Sequence, residues 1–417
     1  MSPRAQSRGV LKVSTMVSTA LDQTAKMKYK RFIPILLFLF FNLSFCQELK
    51  LSSEAEISVL TFGPGTNLND AFGHSAFRIK DKSLGLDIVY GYGGYDFEAP
   101  NFVLKFALGK LNYLITRKSF SDILKIYSYY DRTIEQQRLN LRDSEKQKLY
   151  NYLVYNYKPG NRAYLYDFFY DNCATKIRDV VTIATNQSVT YPSSDTFEDL
   201  SFRDLIHDQV GLNTWGSFGI DIALGSVVDR SITTEEKMFL PKYIYKNLET
   251  AKTNNNQALV YSTNTIYKSR KNQSYALIWF MVSPVFIIGL LSLIIIFVTY
   301  KDFKASKRTK WIDITIFSLT AVVGLLLLFL WFGTNHTATG YNYNLLWAFP
   351  LNLLAIAQVS KNKIKNWFRS YLKYVLIMLC LMTLHWVIGV QVFAIALLPL
   401  LLALLLRYTY LIHYFKK

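Results

Sequence analysis

The last third of the chain consists almost entirely of long apolar runs, and this pattern limits the possible folds more than any other feature. The runs cover residues 275–300, 311–332, 345–359, 371–388 and 392–412. Apolar runs of about 20 residues are typical of helices that cross a membrane. The third run is shorter, and the last two are almost continuous. The sequence therefore predicts an all-α bundle of five transmembrane helices over residues 266–417.

Charges in the segments between these runs predict the orientation of the bundle. Residues 301–310 and 360–370 are rich in Lys and Arg, and the chain ends in Lys416 and Lys417, whereas 333–343 carries no Lys, Arg, Asp or Glu. Basic loops remain in the cytoplasm. We therefore expect a cytoplasmic C-terminus, with the 333–343 loop and the domain before the first run on the other side of the membrane.

The start of the chain has the pattern of an export signal. We interpret residues 1–26 as an upstream extension, because they show no periodicity and Met27 is a more natural start. A basic stretch, Lys28–Arg31, then precedes apolar residues 32–45 and Cys46. This order is typical of a secretory signal peptide, which we assign to 27–46. Phe45 is too bulky for efficient lipidation of Cys46, so we expect cleavage or retention as an anchor.

The net charge of +18 does not by itself indicate a nucleic-acid partner. Lysines beside membrane helices raise the total in the same way, and no nucleic-acid-binding motif is present. The sequence contains neither paired Cys or His spacing for zinc nor a glycine-rich phosphate loop. We therefore expect no nucleic acid, no metal and no cofactor.

Residues 47–265 have the mixed pattern of an α+β domain. β-Branched and apolar stretches bounded by glycines predict strands, and helical spacing of apolar residues predicts helices. The predicted strands cover residues 57–62, 71–80, 86–95 and 133–141. The predicted helices begin at Ser144, where a capping box occurs, and near residues 174, 197 and 233. A polar linker is expected at 253–257.

One cysteine in this domain is a candidate nucleophile. Of the three cysteines, Cys46 lies in the signal segment and Cys380 in an apolar run, so Cys173 has no evident disulfide partner. Exported domains lie in an oxidising compartment, so an unpaired thiol in such a domain suggests a function. His74, about a hundred residues upstream, is the candidate base, and a distant Cys–His pair is typical of thiol catalysis. The alternative on composition alone is that both are ordinary core residues.

The predicted position of Cys173 at a helix N-terminus suggests a mechanism. Unpaired N–H groups and the helix dipole would lower the pKa of the thiol, and the same groups could hold an oxyanion. His74 would move the proton. Asp96 would orient the imidazole, although Asp87 and Tyr92 compete for this role.

Other polar residues have weaker claims. Asn172 is a candidate oxyanion donor or simply a helix cap. Arg178 would contact a lipid phosphate or form a structural ion pair. Asn335 and His336 lie on the loop expected outside the cytoplasm, where they could meet lipid headgroups or belong to an ordinary polar loop. His385, inside an apolar run, is either functional or bonded to a neighbouring helix.

Several motifs together resemble the Lnb family. They are Thr61-Phe-Gly-Pro-Gly65, Phe72-Gly-His-Ser75, Tyr90-Gly-Tyr-Gly93, Asp96-Phe97, Asn101-Phe102, Tyr164-Leu-Tyr-Asp-Phe-Phe169, Asp171-Asn-Cys173, Trp215, Gly219-Ile-Asp-Ile-Ala-Leu-Gly225, Asp229-Arg230, Asn335-His336 and Asn344-Leu-Leu-Trp-Ala-Phe-Pro350. The similarity covers nearly all of the chain after the signal segment. Because the last of these motifs includes Asn344 and Trp347, we add both to the candidate substrate-binding residues.

This resemblance implies a bacterial lipoprotein N-acyltransferase of the Bacteroidota type. Such an enzyme lies in the inner membrane, with its N-terminal domain in the periplasm. Its acyl donor is a membrane phospholipid, and its acceptor is the N-terminal amine of a diacylglyceryl lipoprotein. The His-before-Cys order is similar to that of permuted papain-like folds. The implied fold class is therefore a permuted papain-like α+β domain followed by the helical bundle.

Two other functions remain open on the residues alone. The chain could be a membrane-anchored cysteine hydrolase that acts on cell-wall peptides or phospholipids. It could also be a receptor or scaffold whose outer domain has lost catalysis. A thioester that must react with an amine has to be shielded from water. Five membrane helices beside the thiol would suit this shielding, whereas a soluble peptidase would not need them.

Overall fold

The structure is a computed structural model that describes residues 49–96, 98–192, 199–270 and 280–416. The predicted extension at 1–26 and the predicted signal peptide at 27–46 lie outside the described residues. The described residues from 51 onward form one compact unit. It consists of a sheet-rich N-terminal domain followed by a helical region.

The N-terminal domain is built on antiparallel strands with helices between them. The strands are β1 (Glu56–Phe62), β2 (His74–Asp81), β3 (Leu86–Gly94), β4 (Asn112–Ser119), β5 (Ile134–Leu139), β6 (Ala163–Leu165), β7 (Val189–Thr190), β8 (Lys252–Thr253) and β9 (Val260–Tyr267). The helices are α1 (Phe102–Ala107), α2 (Phe120–Tyr129), α3 (Asp143–Tyr157), α4 (Cys173–Ala184), α5 (Phe202–Val210), α6 (Trp215–Ala223), α7 (Thr234–Lys237) and α8 (Pro241–Thr250).

The main sheet has seven strands in the order β6-β4-β3-β2-β1-β5-β9. The interior strand β1 is buried on both faces, which explains its continuous β-branched and apolar sequence. Helices α3, α4 and α8 cover one face, where Val59, Phe77 and Ile177 share a core cluster. Helix α2 covers the other face beside Leu60 and Phe62. Strands β7 and β8 pair separately.

Long apolar helices dominate the second region. They are α9 (Pro284–Ala305), α10 (Lys310–Phe332), α11 (Asn352–Val359), α12 (Asn366–Val387) and α13 (Leu397–Tyr414). Four of them, all except α11, are long and apolar enough to span a membrane. These four confirm four of the five apolar runs predicted as spans. The third run instead forms a 3₁₀ turn, Tyr343–Leu346, and the short helix α11.

The third run nevertheless passes along the whole length of α10. A Cβ at Gly324 would lie 2.1 Å from the backbone oxygen of Ala348. Four residues further along the run, the Asn352 amide donates to Thr320 Oγ1 at 2.8 Å. Beyond α11, Lys361 accepts a 2.8 Å hydrogen bond from Arg308, which precedes α10. The run therefore extends from one end of the bundle to the other without forming one continuous helix.

Polar side chains join the two regions. Asn342 donates to the carbonyls of Ile222 and Ala223 at 2.8 and 3.1 Å, near the C-terminus of α6. Asn344 donates to the Asp221 carbonyl at 2.9 Å. Because these backbone oxygens have no partner within the ending helix, the amides satisfy them and attach the N-terminal domain to the 333–343 loop.

A buried ionic cluster stabilises the same junction. Arg203 on α5 is fully buried and contacts Asp221 at 2.9 Å and Asp229 at 2.6 Å. His207, one turn later, lies 2.9 Å from Asp221. Removal of one partner from a buried charged cluster leaves the others uncompensated. The cluster therefore makes the fold of this junction strongly dependent on Arg203.

Candidate active site

Cys173 is the first residue of α4, and Asn172 fixes its position. The Asn172 side-chain oxygen accepts from the N–H groups of Ala174 and Thr175 at 2.7 and 3.0 Å. Its amide nitrogen donates to the carbonyls of Phe168 and Phe239 at 2.6 and 2.8 Å. Both amide donors are therefore engaged. Asn172 acts as a helix cap, and the structure gives its side chain no role as an oxyanion donor.

His74 is the first residue of β2, where two neighbours leave room for the ring. Its imidazole stacks on Phe62 with ring centroids 5.9 Å apart. On the adjacent strand β3, a Cβ at position 91 would lie 3.2 Å from His74 Nε2, so Gly91 provides the space that the imidazole occupies. The local packing thus fixes the ring from two sides.

One cavity of about 370 Å³ brings His74 and Cys173 together. Both side chains are half-buried and line its wall. Within the described chain, no hydrogen bond joins the imidazole to the thiol. Catalytic hydrogen bonds are often long or absent before substrate binds. The structure therefore places both groups at one cavity, without a hydrogen bond between them in the absence of a substrate.

The charge state of the thiol differs from the prediction. Burial raises the pKa of Cys173 to about 11, although the N–H groups of Ser75, Cys173 and Ala174 act in the opposite direction. The predicted lowering of this pKa is wrong, because desolvation of the thiolate outweighs the helix N-terminus. Cys173 therefore rests as a neutral thiol near neutral pH.

The imidazole is also uncharged. Burial, followed by the positive charge of Arg132, lowers the pKa of His74 to about 4. Arg132 is held by the Gly63 carbonyl at 2.8 Å and lies 3.8 Å from Asp70. The imidazole is therefore neutral near neutral pH and able to accept a proton, although the lowered pKa makes it a weaker base than an ordinary histidine.

Asp96 does not orient His74, which corrects the prediction. Asp96 is exposed, and its carboxylate accepts the Glu98 N–H at 2.9 Å. Asp87 is also engaged elsewhere, since it is bonded to Arg78 at 2.8 and 2.7 Å. Of the three candidates, only Tyr92 lines the cavity with His74. Within the described residues the Tyr92 hydroxyl has no hydrogen-bond partner.

A second, larger chamber of about 640 Å³ adjoins the first. Asn69, Phe72, Phe106, Tyr113, Tyr166 and Phe168 line both, so the two spaces lie side by side and share one largely aromatic wall. The far end of the chamber is bordered by these residues of α5, α6 and the outer loop: Ile206, Ile220, Leu224, Asn335, His336, Thr337, Ala338 and Thr339. The cavity at the thiol therefore adjoins a mainly apolar chamber that reaches the end of the membrane helices.

The other predicted substrate-binding residues fall into two groups. Asn335 and His336 line the chamber. Arg178 lines none of the described cavities and instead bonds Asp179 and the Glu235 carbonyl. Its predicted role at a lipid phosphate is therefore not supported.

Asn344 and Trp347 are buried and bonded to each other at 2.9 Å. Neither lines a described cavity, so the structure indicates a structural role for both. His385, near the end of α12, packs its ring against Tyr343 with centroids 4.5 Å apart.

Sequence reasoning missed Arg132 and the aromatic wall. Arg132 follows α2 and carries no recognisable motif, so only the effect of its charge on the pKa values of His74 and Cys173 reveals it. Phe102 and Phe106 both line the first cavity. Their spacing of four residues places them on one helical face, a signal that the sequence analysis did not use. Within the described ranges, no three His, Cys, Asp or Glu residues are grouped to hold a metal ion.

Comparisons with known proteins identify both regions. A family model described as the Lnb N-terminal periplasmic domain matches residues 47–203. A second, described as the Lnb transmembrane domain, matches residues 265–417. The first match includes His74 and Cys173, and the second includes α9 to α13. Comparison with curated proteins and with solved structures gave no match.

Proposed function

Because the chain belongs to the Lnb family, a group of multi-pass membrane proteins with a periplasmic N-terminal domain, we propose that it is a lipoprotein N-acyltransferase. In this proposal, Cys173 takes an acyl chain from a phospholipid and passes it, as a thioester, to the N-terminal amine of a diacylated lipoprotein. His74 is the general base and acid. The inner membrane of a bacterium is the proposed location.

The position of the thiol cavity beside a larger, mainly apolar chamber carries this proposal. The chamber volume of about 640 Å³ lies within the range of roughly 300–1,000 Å³ found for small-molecule sites. Its aromatic and aliphatic wall suits an acyl chain and offers little to the polar backbone of a cell-wall peptide. The chamber also ends at the membrane helices, where phospholipid is the available substrate.

The first half-reaction begins with both groups neutral. As the sulfur bonds to the ester carbonyl carbon, its proton passes to the His74 imidazole. The carbonyl electrons move to oxygen, where the N–H groups of Ser75 and of the α4 N-terminus can stabilise the charge. The C–O bond to glycerol then breaks, the leaving oxygen takes the proton from His74, and a lysophospholipid departs. Cys173 retains the acyl chain as a thioester.

The second half-reaction transfers the chain to nitrogen. The lipoprotein amine attacks the thioester carbon, the C–S bond breaks, and the amine proton returns to sulfur through His74. The product is an N-acyl amide with a regenerated thiol. Water would compete at this stage, so the aromatic wall has a second role, because it keeps the thioester carbon dry.

The order of the two candidate catalytic residues and the path of the third apolar run support the same proposal. His74 on a strand and Cys173 at the start of a later helix agree with a permuted papain-like arrangement. We infer that the third apolar run is a fifth, interrupted crossing, because it extends along α10 from Ala348 to Lys361. With five crossings, the basic loops and the C-terminus lie together in the cytoplasm.

Incubation of the purified full-length chain with phospholipid and a synthetic diacylated lipopeptide tests the function. We expect N-acylated lipopeptide from the wild type and none from Cys173→Ala, with Cys380→Ala as the matched cysteine control. Mass spectrometry without the acceptor should find an acyl group on Cys173. Release of free fatty acid alone would favour a phospholipase, cleavage of a cell-wall peptide would favour an amidase, and no turnover would favour a scaffold.

A further inference from the structure

Helix α1 exposes apolar side chains that the catalytic cavity does not use. Val103 is 77% exposed and Leu104 is 57% exposed. Neither lines the cavity, whereas Phe102 and Phe106 on the same helix do. The helix therefore has one face toward the site and another with no protein partner among the described residues. Exposed apolar groups clustered in this way indicate an interaction surface.

The position of α1 relative to the membrane helices identifies what the surface meets. The Leu108 carbonyl accepts a 2.8 Å hydrogen bond from the Asn335 N–H, and the Ala107 carbonyl lies 3.3 Å from His336 Nε2. Asn335 is only three residues beyond Phe332, the last residue of α10. Since a residue spans at most about 3.6 Å, α1 begins its contact within roughly 11 Å of the end of a membrane helix.

The close approach between α1 and the outer loop is built into the chain. Gly109 has a φ of +66°, and a Cβ there would lie 3.1 Å from the His336 nitrogen. A residue with a side chain would be strained in this conformation and would press on the loop. The glycine therefore holds the C-terminus of α1 against the outer end of the bundle, at the depth where lipid headgroups begin.

Charge on and beside α1 fits the same surface. Lys105 lies in the last turn and Lys110 follows the helix, and both are exposed. The helix has no acidic residue in its first turn. Apolar side chains flanked by lysines are typical of helices that lie in a bilayer interface, where lysines meet lipid phosphates.

We propose that α1 inserts Val103 and Leu104 into the outer leaflet of the membrane and forms the lip through which phospholipid reaches Cys173. The occupant of this surface is the bilayer itself. Phe102 and Phe106 continue from the lip into the cavity, so an acyl chain leaving the leaflet meets an apolar path toward the thiol. The insertion does not depend on the proposed acyl transfer, whereas the role as a lip does.

A fluorescence experiment tests insertion without any activity. Full-length chain with Cys46, Cys173 and Cys380 replaced by serine receives the environment-sensitive dye NBD at Leu104→Cys. It is reconstituted in vesicles of phosphatidylethanolamine and phosphatidylglycerol that contain shallow spin-labelled lipid. We expect strong quenching at position 104 and little at a control dye on Leu84→Cys. Leu84 lies in the turn after β2, and that strand extends about 23 Å from His74 to Asp81 at roughly 3.3 Å per residue. Equal quenching at the two positions would overturn the proposal.

An activity experiment tests the role as a lip. The double variant Val103→Glu/Leu104→Glu should lower acyl transfer from vesicle phospholipid by about tenfold or more, because carboxylates at these positions oppose insertion. Transfer from a short-chain phospholipid below its micelle concentration should stay within about twofold of wild type, as should both activities of Leu84→Glu. An equal loss of acyl transfer with both donors would show that α1 supports the structure of the cavity instead. Unchanged transfer with both donors would refute the role of α1 as a lip. Absence of transfer in the wild type would refute the proposed function and leave the quenching result intact.

Discussion

Alkylation of Cys173 by iodoacetamide should accelerate about tenfold for each pH unit between pH 6.5 and 9.5. The thiolate is the reactive form, and burial raises the pKa of Cys173 to about 11 from an ordinary value of 9.0. Ionisation removes a proton, so the thiolate fraction grows in proportion to 10^pH while the pH remains below the pKa. At about pH 7, roughly one Cys173 thiol in 10,000 is ionised, compared with one in 100 at the ordinary value. The rate should therefore be about a hundredfold below that of an exposed cysteine.

Mass spectrometry of the carbamidomethyl group on the Cys173 peptide measures this rate in the full-length chain. The variant Leu84→Cys supplies an exposed reference thiol in the same molecule, so reagent decay and pH affect both sites equally. Its rate should begin to level near pH 9, while the rate at Cys173 continues to rise.

A preformed thiolate–imidazolium pair would give the opposite profile. Cys173 would then react at a nearly constant rate from pH 6 to pH 8, and His74→Gln would lower that rate by removing the partner of the thiolate. The neutral pair predicts that His74→Gln leaves alkylation within about twofold while it abolishes acyl transfer. A plateau below pH 8 would refute the reasoning from burial.

Three further predictions address the surroundings of the site. Arg203→Met should destabilise the chain by about 3–5 kcal/mol, measured as a lower unfolding temperature in detergent, because it leaves Asp221 buried without its cation; a shift of under about 2 °C would contradict this. Gly91→Ala should reduce acyl transfer at least tenfold with little change in unfolding temperature, since its Cβ would lie 3.2 Å from His74 Nε2; unchanged transfer would show that the ring need not occupy this position. Asp96→Asn should keep activity within about twofold, and a loss of tenfold would restore this residue to the site.

The fold was predictable where burial is complete. Strand β1 is buried on both faces and reads as an apolar run. Strands β4 and β9 were missed because their sequences alternate poorly. β9 is an edge strand with three consecutive exposed residues, Thr263, Asn264 and Thr265, and so carries little hydrophobic signal. Edge strands need only one neighbour and one covered face, which leaves their composition close to that of a loop.

The location of the candidate site was predictable because cysteine and histidine are rare in this chain, but the details of the site were not. A chain with few histidines and one exported unpaired cysteine draws attention to His74 and Cys173, and the structure places both at one cavity. The error at Asp96 has a local cause. The β3–β4 register shifts between Gly91 and Gly94, and a bulge redirects the chain that follows. Counting residues from His74 or along β3 cannot anticipate that change of direction.

The pKa of Cys173 illustrates a second limit. A helix N-terminus is visible in the sequence through Asn172 and the apolar spacing after it. The depth of burial is not, because the walls of the cavity around the sulfur include residues from distant segments, such as Tyr113, whose ring stacks on that of Tyr166 at 4.2 Å. The local sequence therefore predicts only that the helix dipole lowers the pKa of the thiol, and not that burial raises it more.

The amide bonds from Asn342 and Asn344 to the end of α6 have a consequence for donor choice. They attach the domain that carries Cys173 to the loop at the end of the membrane helices. If Cys173 takes an acyl chain from phospholipid, as proposed, this attachment fixes how far the thiol lies from the bilayer, and a lipid reacts only if its carboxyl ester reaches the thiol. Selection would then follow the depth at which the ester lies in the leaflet, and lipids with different headgroups but the same glycerol linkage should be exchangeable as donors.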